Sequence, residues 1–241
     1  MRRFLWVILL ILLAFGACSK NRTEQTIESK LAKADELYAQ KKYARAATLY
    51  DEVSFERKSA STAYAILRQA DSYFLMNKFA DARLKYQHFI DSFPDHANAS
   101  DAYFRIGQCL YEESLSPAYD QDETISSINA FKGFIERFPS DPRFQQALDF
   151  IRKSQYKIIE KKYQNGYIYY KMKDYSSALM YFDEVIALGN TDRLDRQSLY
   201  YSALLHLHQN SNDKAQESFA RLKAKYPGSK ETTKLSKKFG G

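Results

Sequence analysis

Cysteine and histidine are the residues whose types could make or break bonds in this 241-residue sequence, and few stand where such chemistry needs them. The four histidines, His88, His96, His206 and His208, lie away from any cysteine or carboxylate at metal-ligand spacing. His206 and His208 are two apart in a stretch with helical periodicity, so they project from different faces and cannot share a metal. No Gly-rich phosphate loop and no serine or cysteine nucleophile motif occurs. Cys109, near Ile106 and Leu110, has the surroundings of a packed thiol. Eight glycines leave little room for the loops that carry catalytic sites. The expectation is a non-enzyme without cofactor or metal.

Cys18 is different. It follows Arg2-Arg3, an apolar run from Phe4 to Ala14, and then Gly16-Ala17. A charged start, a short apolar run and small residues describe an export signal. The run is too short to span a bilayer core, which needs about 20 residues. Small residues directly before a cysteine resemble a bacterial lipobox, so residues 1–17 are read as a leader and Cys18 as the lipidation site, with 18–26 a flexible tether. Phe15 stands where leucine is usual, and the alternative is an ordinary signal with a chance cysteine. Several acyl chains on one cysteine anchor firmly where a single chain does not. Ser19, rather than Asp, follows the cysteine. By analogy with enterobacterial lipoprotein sorting, that points to the outer membrane, with the body facing the periplasm.

What remains is recognition chemistry. Loss of Arg2 and Arg3 with the leader lowers the formal charge of +7 by two, a mild excess that gathers toward the C-terminus. It does not form the defined basic face or motif of a nucleic-acid binder. One cysteine beyond the lipidation site permits no disulfide framework, so stability must come from packing, for which 45% apolar residues suffice. The 19 tyrosines and 16 phenylalanines are the candidate binding groups. One set, Asp35, Tyr38, Tyr64, Leu67, Asp71, Phe74, Phe104, Gln108 and Tyr111, is expected to line a peptide groove. Aromatics there suit an extended apolar segment, and Arg68 and Arg105 beside them suit its terminal carboxylate. A second set, Tyr163, Tyr167, Tyr170, Lys171 and Tyr200, is expected to dock a stable partner, since tyrosine buries a large area and keeps a polar tip. For any one of these aromatics, packing between repeats is the competing role.

The elements that position them are repeats. Tyr43-Ala46-Tyr50, Phe79-Ala82-Tyr86 and Tyr175-Ala178-Phe182 each place a small residue three after an aromatic and another aromatic four beyond it. Thr124 to Phe131, with Ser127, and Ser211 to Phe219, with Ala215, are degenerate copies. Spacing of four puts small residue and aromatic on one helical face. Ala34, Ala70, Gly107, Gly166 and Ala203 precede the five copies, and Phe93-Pro94, Phe138-Pro139 and Tyr226-Pro227 close three. This is the pattern of the tetratricopeptide repeat, with its period of about 34 residues. Small residues let two antiparallel helices approach, aromatics fill around the crossing, and proline stops the second helix. The fold class predicted is all-α, a right-handed superhelical solenoid of five such repeats. Repeats one to three occupy 27–139, with an insertion near 114–122 that is either a partner contact or a tolerated surface loop. Repeats four and five occupy 140–228 and open with a long helix over about 142–170. Residues 229–241, rich in lysine, are read as a basic tail, usually a solvated, mobile end, with contact to an acidic partner the minority reading.

Lipobox, five repeats, the enlarged third and the elongated fourth together resemble the BamD (YfiO) family of outer-membrane β-barrel assembly lipoproteins. Tyr119-Asp120-Gln121-Asp122-Glu123-Thr124 leading to Ile135-Glu136-Arg137-Phe138-Pro139 resembles that family's third repeat, and Lys161-Lys162-Tyr163 through Asp174-Tyr175 its fourth. The departures are Lys58, where the first repeat lacks its terminal proline, and Gly189-Asn190, where the fourth does. The resemblance implies a non-catalytic scaffold and receptor. Its C-terminal repeats would dock the POTRA region of a BamA-like barrel-assembly protein, and its N-terminal repeats would read the C-terminal signal of unfolded outer-membrane protein clients. The rival within the same class is another periplasmic repeat lipoprotein, a Tol-associated coordinator or a pilus-assembly pilotin. A cell-wall hydrolase would need a catalytic domain for which no segment is free.

Overall fold

The computed structural model describes residues 26–239, so the leader, Cys18 and most of the tether lie outside the described residues. The described chain is all helix and turn: α1 (Ile27–Ala39), α2 (Tyr43–Ser54), α3 (Ala60–Leu75), α4 (Phe79–Ser92), α5 (Ala99–Glu113), α6 (Asp122–Arg137), α7 (Phe144–Met172), α8 (Tyr175–Ala187), α9 (Arg193–His208), α10 (Asn212–Lys225) and α11 (Lys230–Phe239). Each helix packs on the next, α1 also reaches α3, and α11 rests on both α9 and α10. Five helix pairs therefore stack as a solenoid.

Local sequence sets the punctuation. Thr26, Ser59, Asp174 and Asp192 cap their helices by accepting from backbone N–H groups of the first turn. Phe93-Pro94, Phe138-Pro139 and Tyr226-Pro227 stand just past α4, α6 and α10. In four of the five pairs the turn carries one left-handed residue at the same register: Lys41, Asn77, Lys173 and Asn210, with φ between 57° and 64°. The third pair departs because the eight-residue connection 114–121 replaces the short turn.

The core runs along the seam of each pair. Ala46, Ala82, Ser127, Ala178 and Ala215 are fully buried, as are Tyr50, Tyr86, Phe131 and Phe182 beside them. A Cβ on Gly107 would lie 2.8 Å from the Phe131 ring, and one on Gly166 would lie 2.9 Å from Phe182. Only glycine admits a phenyl ring that close. Ser127 Oγ donates to the Gly107 carbonyl at 3.1 Å and ties the same crossing.

Helix α7 is 29 residues long, about 44 Å at 1.5 Å per residue. Its first half gives Ala147, Phe150 and Ile151 to the core of the third pair, with Phe150 stacked on Phe131 at 4.8 Å. Its second half gives Tyr163, Tyr169 and Tyr170 to the core of the fourth. Its middle pins the 114–121 connection: Lys157 Nζ donates to Ser114 Oγ at 2.6 Å and Lys161 Nζ to the Tyr119 carbonyl at 2.5 Å. Within the connection, buried Gln121 donates to the Ser116 and Asp120 carbonyls, both at 2.9 Å.

The C-terminal segment corrects the sequence reading. In place of a solvated tail from 229, residues 230–239 form α11, capped by Ser229 and docked through buried Thr232 and Leu235. Phe239 stacks on Phe219 at 4.8 Å. Thr232, Leu235 and Phe239 share one helical face that the lysine run disguises in sequence.

Candidate protein-binding surfaces

The first helices of the pairs carry the predicted residues at equivalent register positions. In the N-terminal half, Tyr38, Asp35, Tyr64, Arg68, Asp71, Phe74 and Arg105 come together across α1, α3 and α5. The Arg68 guanidinium carbon sits 3.6 Å from the Tyr38 ring centre and 5.9 Å from that of Tyr64. Arg105 lies over Phe74 at 4.9 Å and donates to Gln108 Oε1 at 3.2 Å. Arg68 Nη1 is 3.6 Å from Asp71 Oδ2, a loose ion pair, and its Nε has no partner among the described residues. Aromatic faces and under-used guanidinium donors thus border the same surface.

Beneath them lie two carboxylates. Asp35 Oδ1 accepts from the hydroxyls of Tyr50 at 2.5 Å and Tyr64 at 2.8 Å. Asp71 Oδ1 accepts from Tyr86 at 2.6 Å. Burial raises the Asp71 pKa, opposed by the Tyr86 hydrogen bond and by Arg105 and Arg68. Burial, with the Asp35 hydrogen bond, likewise raises Tyr50, so the phenol keeps its proton as donor. At this register position the pairing is confined to the first two repeats. Where the seam aromatic is Phe131, Phe182 or Phe219, the position of Asp71 holds Gln108, Tyr167 or Leu204, so neither seam phenol nor carboxylate stands there; buried Asp195 of the fifth pair instead accepts from the Tyr226 hydroxyl at 2.7 Å.

Two of the predicted groove residues are elsewhere. Leu67 is 7% exposed in the core with Ala70 and Tyr86, and Phe104 is 3% exposed against Phe131 and Phe134. Both occupy the register position three before the small residue, which turns inward. Their successors, Arg68 and Arg105, turn outward. Tyr111 is half-buried, packed on Phe150 at 4.9 Å beneath Lys157.

In the C-terminal half, Tyr163, Tyr167 and Tyr170 of α7 meet α9 in a tyrosine cluster. Tyr167 and Tyr170 lie 5.6 and 4.9 Å from Tyr201, which also stacks on Phe182 at 5.5 Å and touches Tyr200 at 5.3 Å. Tyr163 packs on Phe182, and burial pushes its phenol up to about 12. Tyr167 and Lys171 are exposed, Tyr170 and Tyr200 half-buried. Next to Tyr167 on α7, Ile168 and Met172 are 54% and 68% exposed, extending an apolar, tyrosine-rich surface. Tyr201, its central ring, was missed by the sequence reading. It stands at the register position of Arg68 and Arg105, two before the small residue, and that equivalence was the available signal.

The remaining polar groups suit structure. Burial pushes the Cys109 thiol up to about 12, which keeps it an inert thiol. No cluster of three metal-ligating side chains occurs among the described residues, and no described helix is long and apolar enough to cross a membrane.

Stacked helix pairs with small-residue seams define a tetratricopeptide-repeat protein, and tetratricopeptide-repeat family models match residues 64–96 and 163–230. More particularly, the chain is similar along nearly its whole length to the outer membrane protein assembly factor BamD of Rickettsia prowazekii (strain Madrid E). Identity is 25% over 236 residues, covering 95% of this chain and 93% of the relative. Among solved structures it is similar to the TPR2AB-domain:pHSP90 complex of yeast Sti1 (13% identity, 86% of this chain and 80% of that one, TM-score 0.47). It is also similar to Pseudomonas aeruginosa pilF (14% identity, 90% and 83%, TM-score 0.38).

Proposed function

We propose that this chain is a non-catalytic scaffold of outer-membrane β-barrel assembly, anchored to the outer membrane through lipidated Cys18 and facing the periplasm. The observation that carries this reading is the end-to-end similarity to an outer membrane protein assembly factor of nearly equal length. The two aromatic surfaces divide its work. The N-terminal groove of Tyr38, Tyr64, Phe74, Arg68 and Arg105 receives the aromatic-ended C-terminal segment of an unfolded barrel protein. Its rings stack on the segment and a guanidinium meets the carboxylate. The tyrosine surface around Tyr163, Tyr167, Tyr170, Lys171, Tyr200 and Tyr201 docks the POTRA region of a BamA-like protein. Large, rigid, amphipathic rings of that kind are enriched at stable interfaces.

The test is affinity purification of the detergent-solubilised protein followed by mass spectrometry. Recovery of the barrel-assembly core protein is the expected result. Recovery of Tol or pilus-assembly components in its place would reject the reading. For the groove, replacing Tyr38, Tyr64 and Phe74 by Ala should abolish crosslinking to a client C-terminal peptide, and unchanged crosslinking would reject that assignment.

A further inference from the structure

The four outward lysines of α11 lie away from the N-terminal groove and meet the tyrosine surface only at its edge, where Lys234 Nζ is 6.0 Å from the Tyr200 ring centre. At 100° per residue, Lys230, Lys234, Lys237 and Lys238 fall within a single arc of about 100°, opposite the docked stripe of buried Thr232 and Leu235 and half-buried Phe239. The acidic residue of the helix does not neutralise them. Glu231 is turned inward, 17% exposed, and paired with Arg196 at 3.0 Å. None of the four lysines forms an ion pair with a described residue. Lys223 of the preceding helix is also exposed. By contrast Lys225 is committed to Asp195 at 2.8 Å, which fastens α10 to α9 beneath.

We propose that this face is a second membrane contact, seating on anionic phospholipid headgroups and fixing how the anchored solenoid lies on its bilayer. The cellular setting rests on the lipid-anchored reading above. The composition of the face selects the partner. Protein interfaces are enriched in aromatics, Met and Arg and depleted in Lys. This face carries Lys, flanked by Thr233, with no outward apolar residue of α11 on which an interface could centre. Lysine is a compact charge on a flexible stem, with no fixed fork to match to particular carboxylates. It therefore suits a fluid sheet of negative headgroups. The helix is about 15 Å long, so when it lies flat all four ammonium groups come within the Debye length of about 8 Å of the surface. Each then multiplies partitioning by about fivefold.

The test uses the non-lipidated chain from Ser19 to Gly241, which retains every core described above, in co-sedimentation with vesicles. Expected is binding to phosphatidylcholine vesicles containing about 30% phosphatidylglycerol, absence of binding to phosphatidylcholine alone, and loss in about 0.5 M salt. Changing Lys230, Lys234, Lys237 and Lys238 singly to Gln should weaken binding about fivefold each, and all four together should abolish it. Changing Lys41, Lys42, Lys132 and Lys153 to Gln should leave it unaltered. No binding to anionic vesicles, equal binding to neutral ones, or equal loss in the two quadruple variants would overturn the proposal. So would an α11 variant that still binds anionic vesicles but no longer retains the barrel-assembly core protein, which would make the face a dock for an acidic protein. The vesicle result does not depend on which proteins are co-purified, so this inference and the scaffold reading fail separately.

Discussion

Tyr86→Phe tests whether the carboxylates of the first two repeats are held by their tyrosines. The hydroxyl donates to Asp71 at 2.6 Å from a fully buried ring. Its removal leaves the carboxylate with Arg68, 3.6 Å away in a loose pair, and with Arg105 at longer range. A hydrogen bond to a charged group contributes about 1.5–3 kcal/mol. Phe fills the same volume, so no cavity adds to the loss. At about 2–4 °C per kcal/mol for a chain of this size, the melting temperature should fall by about 3–12 °C at pH 7. The third repeat shows the remedy: Arg105, Gln108 and Phe131 occupy the positions of Arg68, Asp71 and Tyr86, and Arg105 donates to Gln108. Asp71→Gln in the Tyr86→Phe background should therefore recover most of the loss, giving strong coupling in a double-mutant cycle. The pH dependence has a definite sign. Burial already raises the Asp71 pKa above its ordinary value, and loss of the donor raises it further. The folded state then binds the proton more readily than the unfolded state, so the penalty is full above the folded pKa and shrinks as pH falls through it. Thermal melts from pH 7 down toward pH 4 read both effects. A variant that melts within 1 °C of the parent, or additive effects of the two substitutions, would refute the reasoning.

Gly166→Ala places a Cβ 2.9 Å from the Phe182 ring. Overpacking of about 1–3 kcal/mol should outweigh the gain of about 1 kcal/mol in helix propensity, and Phe182→Leu should relieve it in the double variant, as read by urea denaturation. Lys173 holds φ at 64°, where a Cβ costs about 1–2 kcal/mol. Lys173→Gly should therefore raise the melting temperature by a few degrees, despite greater freedom in the unfolded chain. Cys109 is buried, with its thiol raised to about 12 by burial and by Glu113. It should resist a thiol reagent in the native protein at pH 8 and react at once in denaturant.

The repeat architecture was legible because its signal is redundant: small residues and aromatics recur at fixed offsets, and proline marks three of the helix ends. The candidate surfaces were placed only to the accuracy of helix rotation. Leu67 and Arg68 are neighbours 100° apart, and no residue type told which would face the groove. Leucine at that position packs inward, and so does Phe104 at its equivalent, though a phenylalanine on the first helix looks like a binding group. Tyr201 was hidden for a related reason. Its neighbour Tyr200 carries the same chemistry, and only the register shared with Arg68 and Arg105 distinguishes them. Helix α11 was disguised by composition: Leu235 and Phe239 are two apolar positions among lysines, and their partners Phe219 and Leu222 lie on another helix. Short helices of that kind are stabilised by tertiary docking rather than by propensity.

The long helix α7 joins the two surfaces mechanically, and its hold on the 114–121 connection gives that coupling a measurable form. One half of α7 is locked by Phe150 and Ile151 into the core under the groove side, the other by Tyr163 and Tyr170 into the tyrosine cluster. Between them the helix has few buried positions, so the connection and its lysine contacts supply lateral support there. Lys157 is half-buried, lies over the Tyr111 ring at 4.7 Å, and has its pKa lowered by burial. Replacing Lys157 and Lys161 by Met keeps the aliphatic stems and removes the donors to Ser114 and Tyr119. Because both contacts lie near the surface, global stability should drop by only about 1 kcal/mol. Local opening of the connection should rise by about tenfold in native-state proteolysis or hydrogen exchange, since its remaining side-chain ties are the Gln121 hydrogen bonds and the Ser114 hydroxyl on the Tyr111 carbonyl. If exchange in 114–121 is unchanged while the melting temperature falls sharply, the lysines support the helix core rather than the connection. The insertion would then be held by Gln121 and by the Ser114 hydroxyl on the Tyr111 carbonyl.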